Sequence, residues 1–332
     1  MSKQKIIVTG GFGFIGSNFI KMLSHNKYEI FVIDSLTYAA DLDNLDLDKV
    51  SKHFNVNVCN EKALVDIFSE ILPDKVIHFA AESHVDRSIS APDTFIETNI
   101  LGTYSLLKAS LNYYDENKKR NFLFIHISTD EVFGSLELGE NSFNENTPYK
   151  PNSPYSASKA SSDHLVRSFN ETYKLPSTLL NCSNNFGPNQ YEEKLIPLVI
   201  NKALNGLNIP IYGDGEQIRD WIFVEDFCEA ILMVLEKNII NEKFNIGANN
   251  EIRNLDLVRK ICFILDEIEP LDAGKKYSNL MQFVEDRRGH DFRYSINSEK
   301  IRENLDWKPN WDFDDALNFT VKHYLDKFKK QK

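Results

Sequence analysis

The chain of 332 residues carries 38 Lys and Arg against 49 Asp and Glu, a formal charge of −11, with 42% hydrophobic and 26% charged residues. That length holds one large domain or two smaller ones, each with its own core, in an ordinary globular composition. The acid excess argues against nucleic acid or a membrane surface as partner, and leaves room for an anionic small ligand where cations are concentrated locally.

The first part alternates strand-like and helix-like segments. Strands are expected at 5–9, 28–33, 56–58, 76–79, 122–128 and 177–182, with helices at 16–24, 61–72, 91–114 and 154–173. Pro73 stops the second helix, and Pro92 suits the first turn of the third. Such alternation implies an α/β fold, a doubly wound parallel sheet with right-handed crossovers. From about Asn184 the pattern loosens: loops at 184–190, 213–220 and 286–291 separate helices at 194–204, 224–236 and 255–267. The expected division is therefore 1–183 as a Rossmann domain and 184–332 as a smaller, loop-rich α/β region interleaved with it.

Thr9-Gly10-Gly11-Phe12-Gly13-Phe14-Ile15-Gly16 lies between the first strand and the first helix. Gly10 permits the tight turn, Gly13 lets backbone N–H groups approach a pyrophosphate, and Gly16 allows close helix–strand packing. Asp34 ends the second strand, where a carboxylate accepts from ribose hydroxyls and repels a 2′-phosphate. With no arginine beside it, the expected cofactor is NAD rather than NADP.

Tyr155 and Lys159 form a YxxxK pair on the helix expected at 154–173. Positions i and i+4 share a face, so the ammonium is expected to favour the phenolate and draw its pKa down, making Tyr155 a base. Thr129, Asp130 and Glu131 follow the fifth strand at the sheet edge where ligands bind. Two adjacent carboxyls there suit one acid and one base.

The four cysteines are scattered without a CxxC pair, as expected for reduced thiols in a cytoplasmic protein. The eight histidines show no HxxxH spacing, so no metal is expected. The N-terminal residues enter a strand at once, leaving no signal peptide in view, and no apolar run is long enough to span a bilayer.

The segments TGGFGFIGSN, DSLTYA, HFAAESHVDRSI, ISTDEVFG, SPYSASKA, NNFGPNQ, EKLIP, IYGDGEQIRDW and DRRGHDFRY occur in that order between residues 5 and 311. In this the chain resembles the dTDP-glucose 4,6-dehydratases, a branch of the extended short-chain dehydrogenase/reductase superfamily. The resemblance implies that Tyr155 deprotonates the C4 hydroxyl of the glucose, with Thr129 bonded to that oxygen, while NAD takes the C4 hydride. Glu131 would then remove the C5 proton and Asp130 would protonate the departing C6 hydroxyl. It further implies an NAD site of Gly10, Gly13, Phe14, Ile15, Gly16, Asp34, Ser35, Leu36, Thr37, Asn57, Val58, Phe79, Ala80, Ala81, Ser83, Thr98, Tyr155, Lys159 and Asn185. Ser83, Thr129, Asn184, Lys194, Leu195, Pro210, Ile211, Tyr212, Arg219, Asn254, Asp286, Arg287 and His290 would hold the nucleotide sugar. The cations among them, with Arg288, supply the local positive field a diphosphate needs. A homodimer is implied, paired through the helices expected at 91–114 and 154–173.

Asn57 stands where the family usually has an aspartate, Phe133 and Phe186 replace tyrosines, and Arg288 replaces a proline. Alternative readings are a UDP-glucose 4,6-dehydratase, a nucleotide-sugar 4-epimerase or a UDP-glucuronate decarboxylase. The acid pair argues against the epimerase and the overall motif set against the decarboxylase. A non-catalytic NAD-sensing protein would be expected to lose Tyr155 or Lys159.

Overall fold

The computed structural model describes residues 3–117, 121–272 and 274–330, so the outer domain limits 1 and 332 lie outside the described residues. Its strands are β1 (Gln4–Thr9), β2 (Tyr28–Asp34), β3 (Lys52–Asn55), β4 (Lys75–His78), β5 (Leu123–Thr129), β6 (Ser177–Cys182), β7 (Asn184–Phe186), β8 (Ile209–Tyr212), β9 (Ile218–Phe223), β10 (Glu242–Ile246), β11 (Glu251–Arg253) and β12 (Met281–Val284). The helices are α1 (Phe14–Met22), α2 (Glu61–Ile71), α3 (Val85–Ser90), α4 (Pro92–Phe95), α5 (Thr103–Asn117), α6 (Pro154–Tyr173), α7 (Leu195–Leu204), α8 (Val224–Glu236), α9 (Asn254–Ile268), α10 (Glu299–Leu305) and α11 (Phe313–Lys330).

Seven parallel strands in the order β10-β6-β5-β4-β1-β2-β3 make the central sheet. All seven residues of β5 are buried, as a parallel strand covered on both faces requires. The order turns from β1 to β4 at its centre, which opens a crevice beyond the carboxyl ends of those two strands.

The third strand lies at 52–55, not at 56–58 as its valines suggested. Lys52–Asn55 is an exposed edge strand with no apolar run to betray it, and residues 56–58 instead turn into the crevice. The helix expected at 91–114 comprises α4, a π-helical stretch over Ile96–Gly102, and α5. The wide turn buries Asn99, which donates to Glu82 O (3.0 Å) and to Ser158 Oγ (2.8 Å) on α6. The loops expected at 184–190 and 213–220 contain β7 and the start of β9.

Two further layers complete the molecule. A three-stranded β11-β9-β7 sheet and the parallel β12–β8 pair combine with α7, α9 and α11 around a second core that includes Trp221, Ile261 and Tyr324. The C-terminal half also returns to the first core: β10 pairs with β6, and Phe227, Phe244 and Ile301 pack with Ile6 and Val8.

Candidate active site

The glycine turn leaves no room for a side chain at Gly10 or Gly16. Gly10 has φ +67°, and a Cβ there would lie 2.7 Å from Ala80 N at the end of β4. A Cβ on Gly16 would stand 2.3 Å from Gly10 O, and one on Gly13 would meet only Gly10 O, at 3.3 Å. Asp34, 8% exposed, accepts from Phe12 N (3.0 Å) and Leu36 N (2.9 Å). Burial raises its carboxyl, and the two backbone donors oppose that rise.

A cavity of about 370 Å³ runs from this turn to the end of β5. Except for Leu36, every residue expected at the NAD site lines it. Leu36 (φ 51°) packs against the first core and reaches the site through its backbone N–H on Asp34. Thr129, Asp130, Glu131, Asn184, Lys194 and Leu195 share the cavity wall.

Tyr155 and Lys159 come from the first turns of α6, whose start is fixed by a Ser153–Ser156 capping box with Pro154 at the first helical position. Burial pushes the Tyr155 phenol well above its ordinary value, Glu131 and Cys182 add to this, and the Thr129 hydroxyl opposes it. The net shift is upward, opposite to the lowering expected from Lys159. The Lys159 ammonium donates to Ile127 O (2.8 Å), and its own pKa is lowered by burial against the pull of Asp163.

The adjacent acids differ in environment. Asp130 is 1% exposed; Oδ1 accepts from the Thr129 hydroxyl (3.2 Å) and Oδ2 has no partner. Burial, then Glu131 and Asp220, drive its carboxyl far above the ordinary range, which favours the protonated form. Glu131 is also raised by burial, but Arg219, Lys194 and Arg287 oppose that rise. Both are raised, but only Glu131 faces three cations that hold its rise back.

The family model for GDP-mannose 4,6-dehydratase matches residues 7–320. The dTDP-glucose 4,6-dehydratase of Haemophilus influenzae is 49% identical over 331 residues, covering 97% of this chain and 98% of that protein. The chain belongs to the dTDP-glucose 4,6-dehydratase family. The crystal structure of the Bacillus anthracis dTDP-glucose 4,6-dehydratase in complex with NAD is 39% identical with a TM-score of 0.86, covering 98% of each chain. That of the Streptomyces venezuelae dTDP-glucose 4,6-dehydratase with NAD and TYD bound is 36% identical with a TM-score of 0.88, again over 98% of each chain.

Eight residues expected at the nucleotide-sugar site of this dTDP-glucose 4,6-dehydratase family member do not line the cavity: Pro210, Ile211, Tyr212, Arg219, Asn254, Asp286, Arg287 and His290. Pro210, Ile211 and Tyr212 belong to β8, and Ile211 is buried in the second core. Arg219 donates to Asp291 O (2.9 Å) and stacks over Tyr294 at 4.3 Å. Asp286 pairs with His290 Nδ1 (2.7 Å), and Asn254 donates through its backbone to Gln217 O (2.9 Å). Arg287 pairs with Asp86 on α3 at 2.6 Å, and Arg288 is exposed.

Sequence reasoning missed a rim on the cavity. Glu193 accepts from Tyr38 OH (3.0 Å) and Arg87 Nε (3.1 Å), while the Arg87 guanidinium lies 3.7 Å from the Tyr38 ring centre. Residues from three separate segments thus meet over the crevice. The available signal was the position of Glu193 beside Lys194 in EKLIP.

Proposed function

We propose that the protein converts dTDP-glucose to dTDP-4-keto-6-deoxyglucose and water, with NAD regenerated in each cycle. The observation that carries this reading is the Asp130–Glu131 pair, in one cavity with Tyr155 and the glycine turn. C4 redox chemistry alone has no use for two carboxyls, whereas elimination of water needs an acid and a base.

The residues present fit the dinucleotide. Gly13 leaves a cradle that a larger residue would fill, and Ser183 Oγ, Asn184 Oδ1 and Asn185 Oδ1 are partnerless on the same wall. Gly10, Gly13, Phe14, Ile15 and Gly16 would hold the pyrophosphate end and Asp34 the ribose, with Asn57 and Val58 at the adenine. NAD supplies the acceptor for a hydride from C4 and the donor that returns it to C6.

Tyr155 takes the C4 hydroxyl proton, with Thr129 bonded to that oxygen. The positive charge of Lys159 and the protonated form of Asp130 favour this step, while the Glu131 carboxylate, which opposes the phenolate, is kept as the later base. The 4-ketone acidifies C5–H, and Glu131 then receives that proton. Asp130 gives its proton to the C6 hydroxyl, which leaves as water, and when hydride reaches C6 the proton held by Glu131, exchangeable with solvent, returns to C5. Lys194, Arg219, Arg287 and Arg288 provide positive charge for the diphosphate, supported by the field that the first three exert on Glu131.

The division of labour follows the same reading. Residues 1–183 hold NAD and the chemistry, while 184–332 mainly bind the nucleotide sugar. Interleaving is supported by the place of β10 in the first sheet. The protein acts in the cytoplasm as a homodimer; among the described residues no helix is long and apolar enough to cross a membrane. Ile96, Leu101, Tyr104 and Tyr173, each at least 40% exposed on the segments bearing α5 and α6, support the paired face.

Incubation with dTDP-glucose and UDP-glucose in parallel, followed by the alkali-induced absorbance of 4-keto sugars, tests the reading. Substrate deuterated at C4 should give product labelled at C6, with solvent deuterium entering at C5. Label retained at C4 of a recovered hexose would sink the dehydratase assignment.

A further inference from the structure

One turn beyond Lys159 on α6 lies a buried carboxylate that the reaction above does not use. Asp163 is 2% exposed. Its Oδ2 accepts from Ser128 Oγ (2.8 Å), Tyr149 OH (2.8 Å) and Asn181 Nδ2 (3.2 Å), and Oδ1 faces His126 Nε2 at 3.3 Å. Two of these donors, Ser128 and Asn181, stand on β5 and β6, the strands that end at Thr129 and Cys182. Asn181 Nδ2 also donates to Thr129 O (3.0 Å), so one amide joins the carboxylate to the backbone of a substrate-facing residue.

A carboxyl at this depth is raised by burial, yet His126, Lys159 and Ser128 outweigh that and hold Asp163 below the ordinary range. His126 is itself lowered to about 4 by burial and by Lys159, so it is neutral at neutral pH. The cations on which Asp163 acts are Lys159, one helical turn away, and Lys243. The other two carboxyls of the site, Asp130 and Glu131, are both biased towards the neutral form. A buried ammonium needs a compensating charge, and Asp163 is the first group to oppose its desolvation.

We propose that Asp163 is a positioning residue for the first hydride transfer: a buried carboxylate one helical turn from Lys159 that steadies the Lys159–Tyr155 pair and, through Ser128 and Asn181, fixes the strand end that carries Thr129. The assignment rests on the dehydratase reading above and adds to it a group that touches neither cofactor nor sugar.

A double-mutant cycle on Asp163→Asn and Lys159→Ala tests it, read as the single-turnover rate of NADH formation from dTDP-glucose. Asp163→Asn alone should slow that rate by about 10–100-fold while substrate affinity changes less than about threefold, because the loss falls on a transition-state charge. In the Lys159→Ala background the same substitution should cost clearly less, since the part of its effect that acts through Lys159 is gone and only the part carried by Asn181 to Thr129 remains. Equal losses in both backgrounds, or an undiminished rate in Asp163→Asn, would overturn the proposal. Should Asp163→Asn fail to fold, Tyr149→Phe removes one donor from the carboxylate and enters the same cycle with an expected loss of roughly 2–10-fold. Wild-type enzyme is the control for the parent reading. Absence of NADH formation and of 4-keto product there sinks the dehydratase itself, whereas normal wild-type chemistry with an additive cycle sinks only the role of Asp163.

Discussion

Replacing Gly13 or Gly16 by alanine adds the same methyl group three residues apart, with opposite consequences for stability. Gly13 has φ −75° and ψ 179°, which alanine adopts freely, and the new Cβ meets only Gly10 O at 3.3 Å. A shift of a few tenths of an ångström relieves that contact, so the folding penalty should stay below about 1 kcal/mol. The methyl nevertheless fills the space where a pyrophosphate approaches the backbone. Losing one or two charge-assisted N–H contacts, each worth about 1.5–3 kcal/mol, should weaken NAD binding by at least about tenfold. At Gly16 the Cβ would lie 2.3 Å from Gly10 O and 3.0 Å from Gly11 Cα, both backbone atoms. Neither can swing aside, so Gly16→Ala should cost about 3 kcal/mol or more as well as lose the cofactor. Thermal melts read the first quantity, and NAD released from the denatured protein reads the second. Stoichiometric NAD in purified Gly13→Ala, or an unchanged melting temperature in Gly16→Ala, would refute the steric reasoning.

Tyr155→Phe should slow the first hydride transfer by about 10²–10⁴-fold with little change in nucleotide-sugar binding, and near-normal turnover would remove Tyr155 as the base. Glu131→Gln should still reduce bound NAD on addition of dTDP-glucose and then stall, leaving a persistent NADH absorbance; full turnover would count against Glu131 as the C5 base. Asp220, fully buried on β9, is raised to about 7, first by burial. Between its unfolded pKa, about 3.9, and 7 the folded state keeps a proton that the unfolded chain has lost, so stability falls as pH rises through that window. Asp220→Asn should therefore stabilise the protein more at pH 8 than at pH 4.5, by about 3 kcal/mol at most. Denaturant unfolding at the two pH values checks this, and equal shifts at both would contradict it.

The doubly wound sheet was legible because its inner strands are continuous apolar runs set between helical periods and glycine or proline stops. The edges were not. Lys52–Asn55 is too polar to read as a strand, and Glu242–Ile246 offers only Phe244 and Ile246 as apolar residues, buried by pairing with β6 rather than by any local pattern. At the site, the glycine turn and the residues on β5 and α6 were readable because spacing along one strand or helix places them. The activation of Tyr155 was misread, since YxxxK spacing shows proximity to Lys159 but not the burial and the carboxyls that set the phenol. The Tyr38–Arg87–Glu193 rim was missed, despite the place of Glu193 beside Lys194, because its members come from distant parts of the chain and meet only in three dimensions.

The position of β10 bears on how the chain folds during synthesis. The six strands encoded before residue 183 hold the glycine turn and the whole Tyr155 helix, yet they leave the fully buried β6 as the outermost strand. Until residues 242–246 leave the ribosome, that apolar edge presents a row of unpaired N–H and C=O groups to whatever strand it first meets. The nascent chain is therefore most exposed to mispairing after its catalytic residues are made and before its sheet is closed. A fragment cut at the apparent domain boundary would keep that liability permanently.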